Sequence, residues 1–171
     1  MALTKVRAAG AEGLTLSSTD LKIDSGDLIF STADKGVVLG STSNSSVNTI
    51  SDYEEGTWTP TLDGFAGTPT FVNPVYTKIG RIVYANFRVL LDGTSDSSHF
   101  ICSGLPFNSV DALPSEGGFV TYSNSAETNM YVLKFQNDNR FGLYETSGGT
   151  VTYSEIGTDK QVRISVIYRT S

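Results

Sequence analysis

The sequence predicts an all-β protein, an antiparallel β-sandwich of jelly-roll type, and three observations predict it. Ser contributes 21 and Thr 20 of the 171 residues, with 17 Gly and 9 Asn, while Ala and Lys are scarce. That composition favours strands joined by polar turns and argues against a helix bundle or coiled coil. The apolar residues fall into short runs with period-two alternation, and no helical pattern extends over ten residues. Turn signals recur between the runs: Gly80-Arg81, Asp92-Gly93, Asn137-Asp138-Asn139, Ser147-Gly148-Gly149 and Gly157-Thr158-Asp159. One Trp, eight Tyr and nine Phe give the chain enough large apolar surface for a core.

The strands can be taken in turn. Residues 82–91, 130–136 and 162–168 carry the strongest patterns. Weaker candidates are 57–62, 70–79, 99–103, 118–122, 140–145 and 150–156. Asn137-Asp138-Asn139 reads as a tight hairpin. Many short strands with frequent turns indicate a sandwich or jelly roll.

The chain divides into a stem segment, residues 1–52, and a head, residues 53–171. All eight Tyr, the Trp and eight of the nine Phe lie in the head. The stem holds a repeat of short apolar triplets. Leu14-Thr15-Leu16, Leu21-Lys22-Ile23 and Leu28-Ile29-Phe30 start seven residues apart, and Val37-Val38-Leu39 comes next at nine. The Ser-, Asp- and Gly-rich spacers disfavour a helix. Very short strands cannot bury an apolar face within one chain. Three copies about one axis would bury Leu14, Leu16, Leu21, Ile23, Leu28, Phe30, Val37 and Leu39 as a trimeric stem core. The alternative is a flexible leader. Residues 41–49 read as a neck.

Charge and cysteine content narrow the function. Twelve basic residues face 18 acidic ones, a net of −6. No basic stripe is present, so no nucleic-acid partner is expected. No apolar run approaches the roughly 20 residues that span a bilayer, and the first ten residues lack the apolar core of a signal peptide. Cys102 is the only cysteine, which excludes a disulfide within the chain and disfavours a Cys-based metal site. Its neighbours Phe100 and Ile101 mark it as a core residue.

One segment goes further. Ile50-Ser51-Asp52-Tyr53-Glu54-Glu55-Gly56-Thr57-Trp58-Thr59-Pro60-Thr61-Leu62 resembles a junction of bacteriophage tail-fibre and tail-spike-like proteins, where such a run joins a shaft to a β-sandwich tip. Tyr76-Thr77-Lys78-Ile79-Gly80 and Ser103-Gly104-Leu105-Pro106-Phe107 resemble two further elements of that family, in the same order. Together they cover roughly residues 50–107. Ser51 departs from the Asp common in such junctions. The resemblance implies a virion-located homotrimeric adhesin, made in the host cytoplasm, that binds a receptor at its tip. Other virion proteins would be contacted through the N-terminal segment. A stem this short fits either a piece of a longer fibre or docking through residues 1–13.

The residues themselves argue the same parts. Trp58, Pro60 and Leu62 share a face in alternation, so Trp58 is expected to anchor the head in its core or at a subunit interface, against the alternative of a sugar-stacking platform. Pro60 suits an edge strand. No catalytic residues are expected. Glu54 and Glu55 are adjacent, so on a strand they point to opposite faces and cannot flank one glycosidic bond. His99 is the only histidine, so neither a His-based metal site nor a Ser-His-Asp centre has support. The Asp92–Asp96 loop does not match the twelve-residue Ca²⁺ pattern, and no metal or cofactor is expected.

Receptor contacts are expected at the end of the head away from the stem. If each strand reverses its predecessor, the loops at 80–81, 104–117, 137–139 and 157–160 share the stem end. Those at 63–69, 92–98, 123–129 and 146–149 share the distal end. The candidates there are Phe65, Asp92, Thr94, Asp96, Ser98, Tyr122, Ser123, Asn124, Asn129 and Ser147, which offer the donors, acceptors and rings that a glycan needs. Bacterial surface glycan is expected over protein as the receptor. The rival reading is a structural virion component, such as a capsid decoration or tail-assembly protein; a polysaccharide-cleaving enzyme ranks last.

Overall fold

The structure is a computed structural model that describes residues 14–16, 21–23, 27–29, 31, 35–39, 49–50, 52–93, 96–111 and 116–170. Phe30 and Thr94 lie outside the described residues, as do the side chains of Leu14, Leu16, Leu21 and Ile23.

In the stem segment β1 (Leu14–Leu16) pairs antiparallel with β2 (Leu21–Ile23), Leu14 opposite Ile23. A second small ladder joins β3 (Val37–Val38) to β4 (Thr49–Ile50). Leu28 and Ile29 were expected within a strand but are in no ladder among the described residues. Leu28, Ile29, Val37 and Leu39 are all exposed, Ile29 at 80%.

The head is a single curled antiparallel sheet of nine strands. Its members are β5 (Tyr53–Thr57), β6 (Thr61–Leu62), β7 (Thr68–Ile79), β8 (Ile82–Asp92) and β9 (Ile101–Ser103). They continue with β10 (Gly117–Ser123), β11 (Met130–Lys134), β12 (Phe141–Glu145) and β13 (Lys160–Arg169). The order across the sheet is β5-β7-β8-β13-β10-β11-β12-β9-β6. Its two edge strands, β5 and β6, are separated by only three residues, Trp58-Thr59-Pro60. One run therefore bonds to β7 through its first half and to β9 through its second, which draws the sheet's edges together. This corrects the expected continuous strand over 57–62. Pro60 sits in the break, where its missing N–H leaves no rung unmade.

The core lies inside the curl. The long pair β8–β13 supplies its centre, with Val83 opposite Tyr168, Ala85 opposite Val166, Phe87 opposite Ile164 and Val89 opposite Val162. All eight are buried. Side chains such as Val, Ile and Phe stabilise by about 1.5–3 kcal/mol each when removed from water. Phe100, Cys102, Phe141 and Leu143 close the far side.

Residues 150–156 also depart from expectation. Thr150 and Thr152 form only isolated bridges to Tyr144 and His99, and the chain then turns into a short helix, α1 (Tyr153–Ile156). The reason is local. The Thr152 hydroxyl accepts from the Glu155 N–H while the Glu155 carboxylate accepts from the Thr152 N–H, a reciprocal cap. The Thr152 N–H foremost, with the Thr152 hydroxyl, donates to the Glu155 carboxylate and holds it below its usual range. Tyr153 and Ile156 plug the end of the core.

Candidate functional site

Strand register decides which loops share an end. Tyr53, where the stem enters, lies opposite Ile79, and the Gly80 N–H donates to the Asp52 carbonyl at 2.7 Å. The β7–β8 turn is therefore at the stem end, together with the described residues of 104–116 and with 135–140. At the other end Thr68 lies opposite Asp92, Ser123 opposite Val162 and Met130 opposite Glu145. The described residues of 63–67, 93–100, 124–129 and 146–149 gather there, as expected. Residues 157–159 lie there too, which corrects their expected place at the stem end. Because α1 replaces a strand, the chain makes no return trip, and the Asp159 N–H reaches the Leu91 carbonyl at 2.8 Å.

The distal candidates divide by what their polar atoms already do. Asp96 ties three segments together. Its carboxylate accepts from the Ser98 N–H at 2.7 Å and the Ala66 N–H at 3.4 Å, and its carbonyl accepts from the Ser154 N–H at 2.7 Å. The Ser98 contact foremost holds its carboxyl below the ordinary value. Ser98 is exposed, but its carbonyl accepts from the Tyr153 N–H at 3.1 Å. Asn124 spends Oδ1 on the Gln161 N–H at 2.7 Å, and Ser123 bonds Ser125. The Asn129 N–H donates to Glu127 and the Ser147 hydroxyl to Glu145, each at 2.7 Å. Phe65 turns inward, its ring 4.9 Å from that of Tyr153. Asp92 is exposed. The loops thus form a bonded cap in which Asp96, Asn124 and Ser147 are tied to neighbours, while Asp92 stands exposed.

Trp58 is 6% exposed and packs edge-on against Phe87, ring centroids 5.2 Å apart. It is a core residue, not a platform. Glu54 and Glu55 accept from the hydroxyls of Tyr76 and Tyr53 respectively. His99 packs on Tyr144 and bonds the Leu143 carbonyl at 2.8 Å. Cys102 is fully buried, and burial pushes its thiol well up.

Sequence reading missed the outer face of the sheet. There a groove of about 600 Å³ lies along the β8–β13 pair. Among its lining residues Val72, Arg88 and Arg163 succeed one another along one row of the ladder, which Tyr122 continues on the fourth strand beside the groove. The register slips just beyond both ends of the row, between Val72 and Val75 and between Val120 and Tyr122. Bulges of this kind re-aim side chains beside sites. Tyr122, expected near the distal end, is the penultimate residue of β10 there, and the Arg163 guanidinium lies 5.1 Å over its ring. On the same face Phe119, Tyr131 and Tyr144 adjoin in register. The signal in sequence is faint: Arg88 and Arg163 are two ordinary polar positions of alternating strands, and only their pairing makes them neighbours.

Among the described residues no group of three His, Cys, Asp or Glu side chains is placed to hold a metal ion, and no helix is long and apolar enough to cross a membrane. No protein-family model matches the chain, and no curated protein or solved structure matches it either.

Proposed function

We propose that this chain is the tip of a bacteriophage tail fibre or tail spike: a homotrimeric, non-catalytic virion adhesin that attaches to a bacterial surface glycan. The reading rests on the junction run 50–62 and on the layout of the head beyond it. The stem enters at Tyr53, and the loops expected to face the host gather at the opposite end of the sheet. A sandwich-type head on an intertwined stem is part of the same proposal. The exposed Leu28, Val37 and Leu39 support it, since partner copies would cover what a single chain leaves in water. Ile79, Ile82 and Ile167, exposed on the outer face towards the end where Tyr53 enters, extend that surface onto the head. Three weak sites on one particle would act together through avidity.

Light scattering should give a mass near three times 18.3 kDa. An excess of the protein should block adsorption of the phage that carries it, and periodate oxidation of host sugars should abolish binding of labelled protein to cells. Trimer without any cell binding would favour the structural virion component instead. Release of soluble saccharide from host glycan would restore the enzymatic reading.

A further inference from the structure

We infer that the outer-face groove over Arg88 and Arg163 is a subsite for a saccharide bearing a carboxylate. The inference deepens the adhesin reading and rests on it for the choice of a glycan over other anions.

The charge argument comes first. Arg88 and Arg163 are direct cross-strand partners, so their side chains leave the same outer face from adjacent strands, and Arg163 leans over Tyr122 on the next strand. Like charges placed directly opposite destabilise a ladder. In a chain with a net charge of −6, carboxylates that could relieve the pair are plentiful. Yet the ion pairs of the described residues engage Lys78, Arg140 and Arg169, and none of them involves Arg88 or Arg163. Two unneutralised guanidiniums in a groove form a fork for an anion, and a carboxylate meets such a fork with paired N–H···O bonds.

The walls supply the rest of a sugar site. The β7 bulge puts Asn73 at φ 51°, in the left-handed region that Asn tolerates, and brings it to the groove's rim. Neither the Asn73 nor the Asn86 side-chain amide is hydrogen-bonded among the described residues, so each keeps donors and an acceptor for hydroxyls. Tyr84 and Ser165 share one hydrogen bond at 3.1 Å and retain further capacity. Tyr122 holds the Arg163 guanidinium from below, which reduces the freedom lost on binding. The groove is open and shallow, suited to one or two residues of a chain. Its Arg row lies towards the distal end of the sheet, and only Tyr84, opposite Ile167, reaches towards the apolar residues of the stem end.

The test is direct binding of the full chain to an immobilised panel of oligosaccharides carrying glucuronate, galacturonate or sialate. The same oligosaccharides with their carboxyl groups reduced to alcohols, and inorganic phosphate as competitor, complete the panel. At least one acidic member should bind, more weakly as salt rises, and its reduced form should not. Arg88→Gln and Arg163→Gln should each weaken binding about tenfold or more, and Arg88→Lys should restore it only in part. Both Gln variants should keep the parent's denaturation midpoint or exceed it, since each relieves a like-charge pair; that separates lost recognition from lost folding. No binding to any acidic member would overturn the inference, as would binding by both Gln variants equal to the parent's. Binding of phosphate alone would overturn the saccharide assignment. Cell attachment that survives Arg88→Gln/Arg163→Gln would leave the adhesin reading standing and this subsite refuted. Absence of attachment by the parent protein would refute the adhesin reading, whatever the groove binds.

Discussion

Replacing Trp58 with alanine should destabilise the head severely, and the structure sets the size. The side chain is 6% exposed and meets Phe87 edge-on. Truncating a buried Trp costs about 3–5 kcal/mol through lost burial and a residual cavity. One term works the other way. The indole Nε1 is buried without a hydrogen-bond partner among the described residues, and relieving such a donor returns about 1–3 kcal/mol. The net loss for Trp58→Ala is then about 2 kcal/mol. For a head of this size that lowers the thermal midpoint by roughly 5–15 °C. Trp58→Phe keeps a ring against Phe87 and removes the orphaned donor, so it should cost less than about 1.5 kcal/mol. Urea denaturation of parent and both variants, with unchanged m-values, measures the difference. Equal losses in the two variants would show that a ring at this position contributes nothing against Phe87 and refute the packing argument. A Trp58→Ala midpoint within about 1 °C of the parent would refute the core placement itself.

Two further predictions concern backbone and charge. Gly104 has φ +91°, and a Cβ there would stand 2.2 Å from the Thr59 carbonyl oxygen, whereas Gly148, at φ +100°, has nothing near. Both Gly→Ala changes incur the left-handed backbone cost of about 1 kcal/mol, but Gly104→Ala must also push the edge-joining run aside, so its thermal midpoint should fall clearly further. Lys134 is buried beneath Tyr168, and its ammonium donates to the carbonyls of Phe135 and Asp138 and to Ser109. Burial lowers its pKa from 10.5 to about 8, partly opposed by Asp138 and Glu116. Between pH 8 and about 9 the unfolded chain therefore holds the extra proton, and stability should rise with pH by on the order of 1 kcal/mol; above pH 9 the unfolded Cys102 thiol ionises while burial keeps the folded one protonated, which offsets the rise. Above pH 10 the trend should reverse, because burial raises Tyr153 and Tyr168 and the unfolded tyrosines ionise first. Urea midpoints across this range should lose their rise in Lys134→Met; a rise that persists would assign it to another group.

Much of the head was legible in the sequence because its signals are local. The alternation in β8 and β13 and the turns at Gly80 and Asp92-Gly93 are properties of neighbouring residues. The exceptions have identifiable causes. Thr152-x-x-Glu155 is a capping box, and its two reciprocal bonds outweighed the strand tendency of Val151 and Tyr153. Trp58 broke the expected strand because its indole turns into the core between two ladders.

The candidate site was less legible. Polar loop residues identify an end of the molecule but not which of their atoms are already spent. Asp96 and Asn124 look free in sequence and are structural bonds in space. By itself the sequence determined the β class, most turn positions, and the placement of Trp58 and Cys102 inside. Each depends on composition or on spacing within a few residues. Only the tertiary structure decided that the sheet curls until one run serves both its edges, and that Arg88 and Arg163, 75 positions apart, stand side by side. Strand pairing is set by long-range register, and no local pattern along the chain encodes which distant rung will lie opposite.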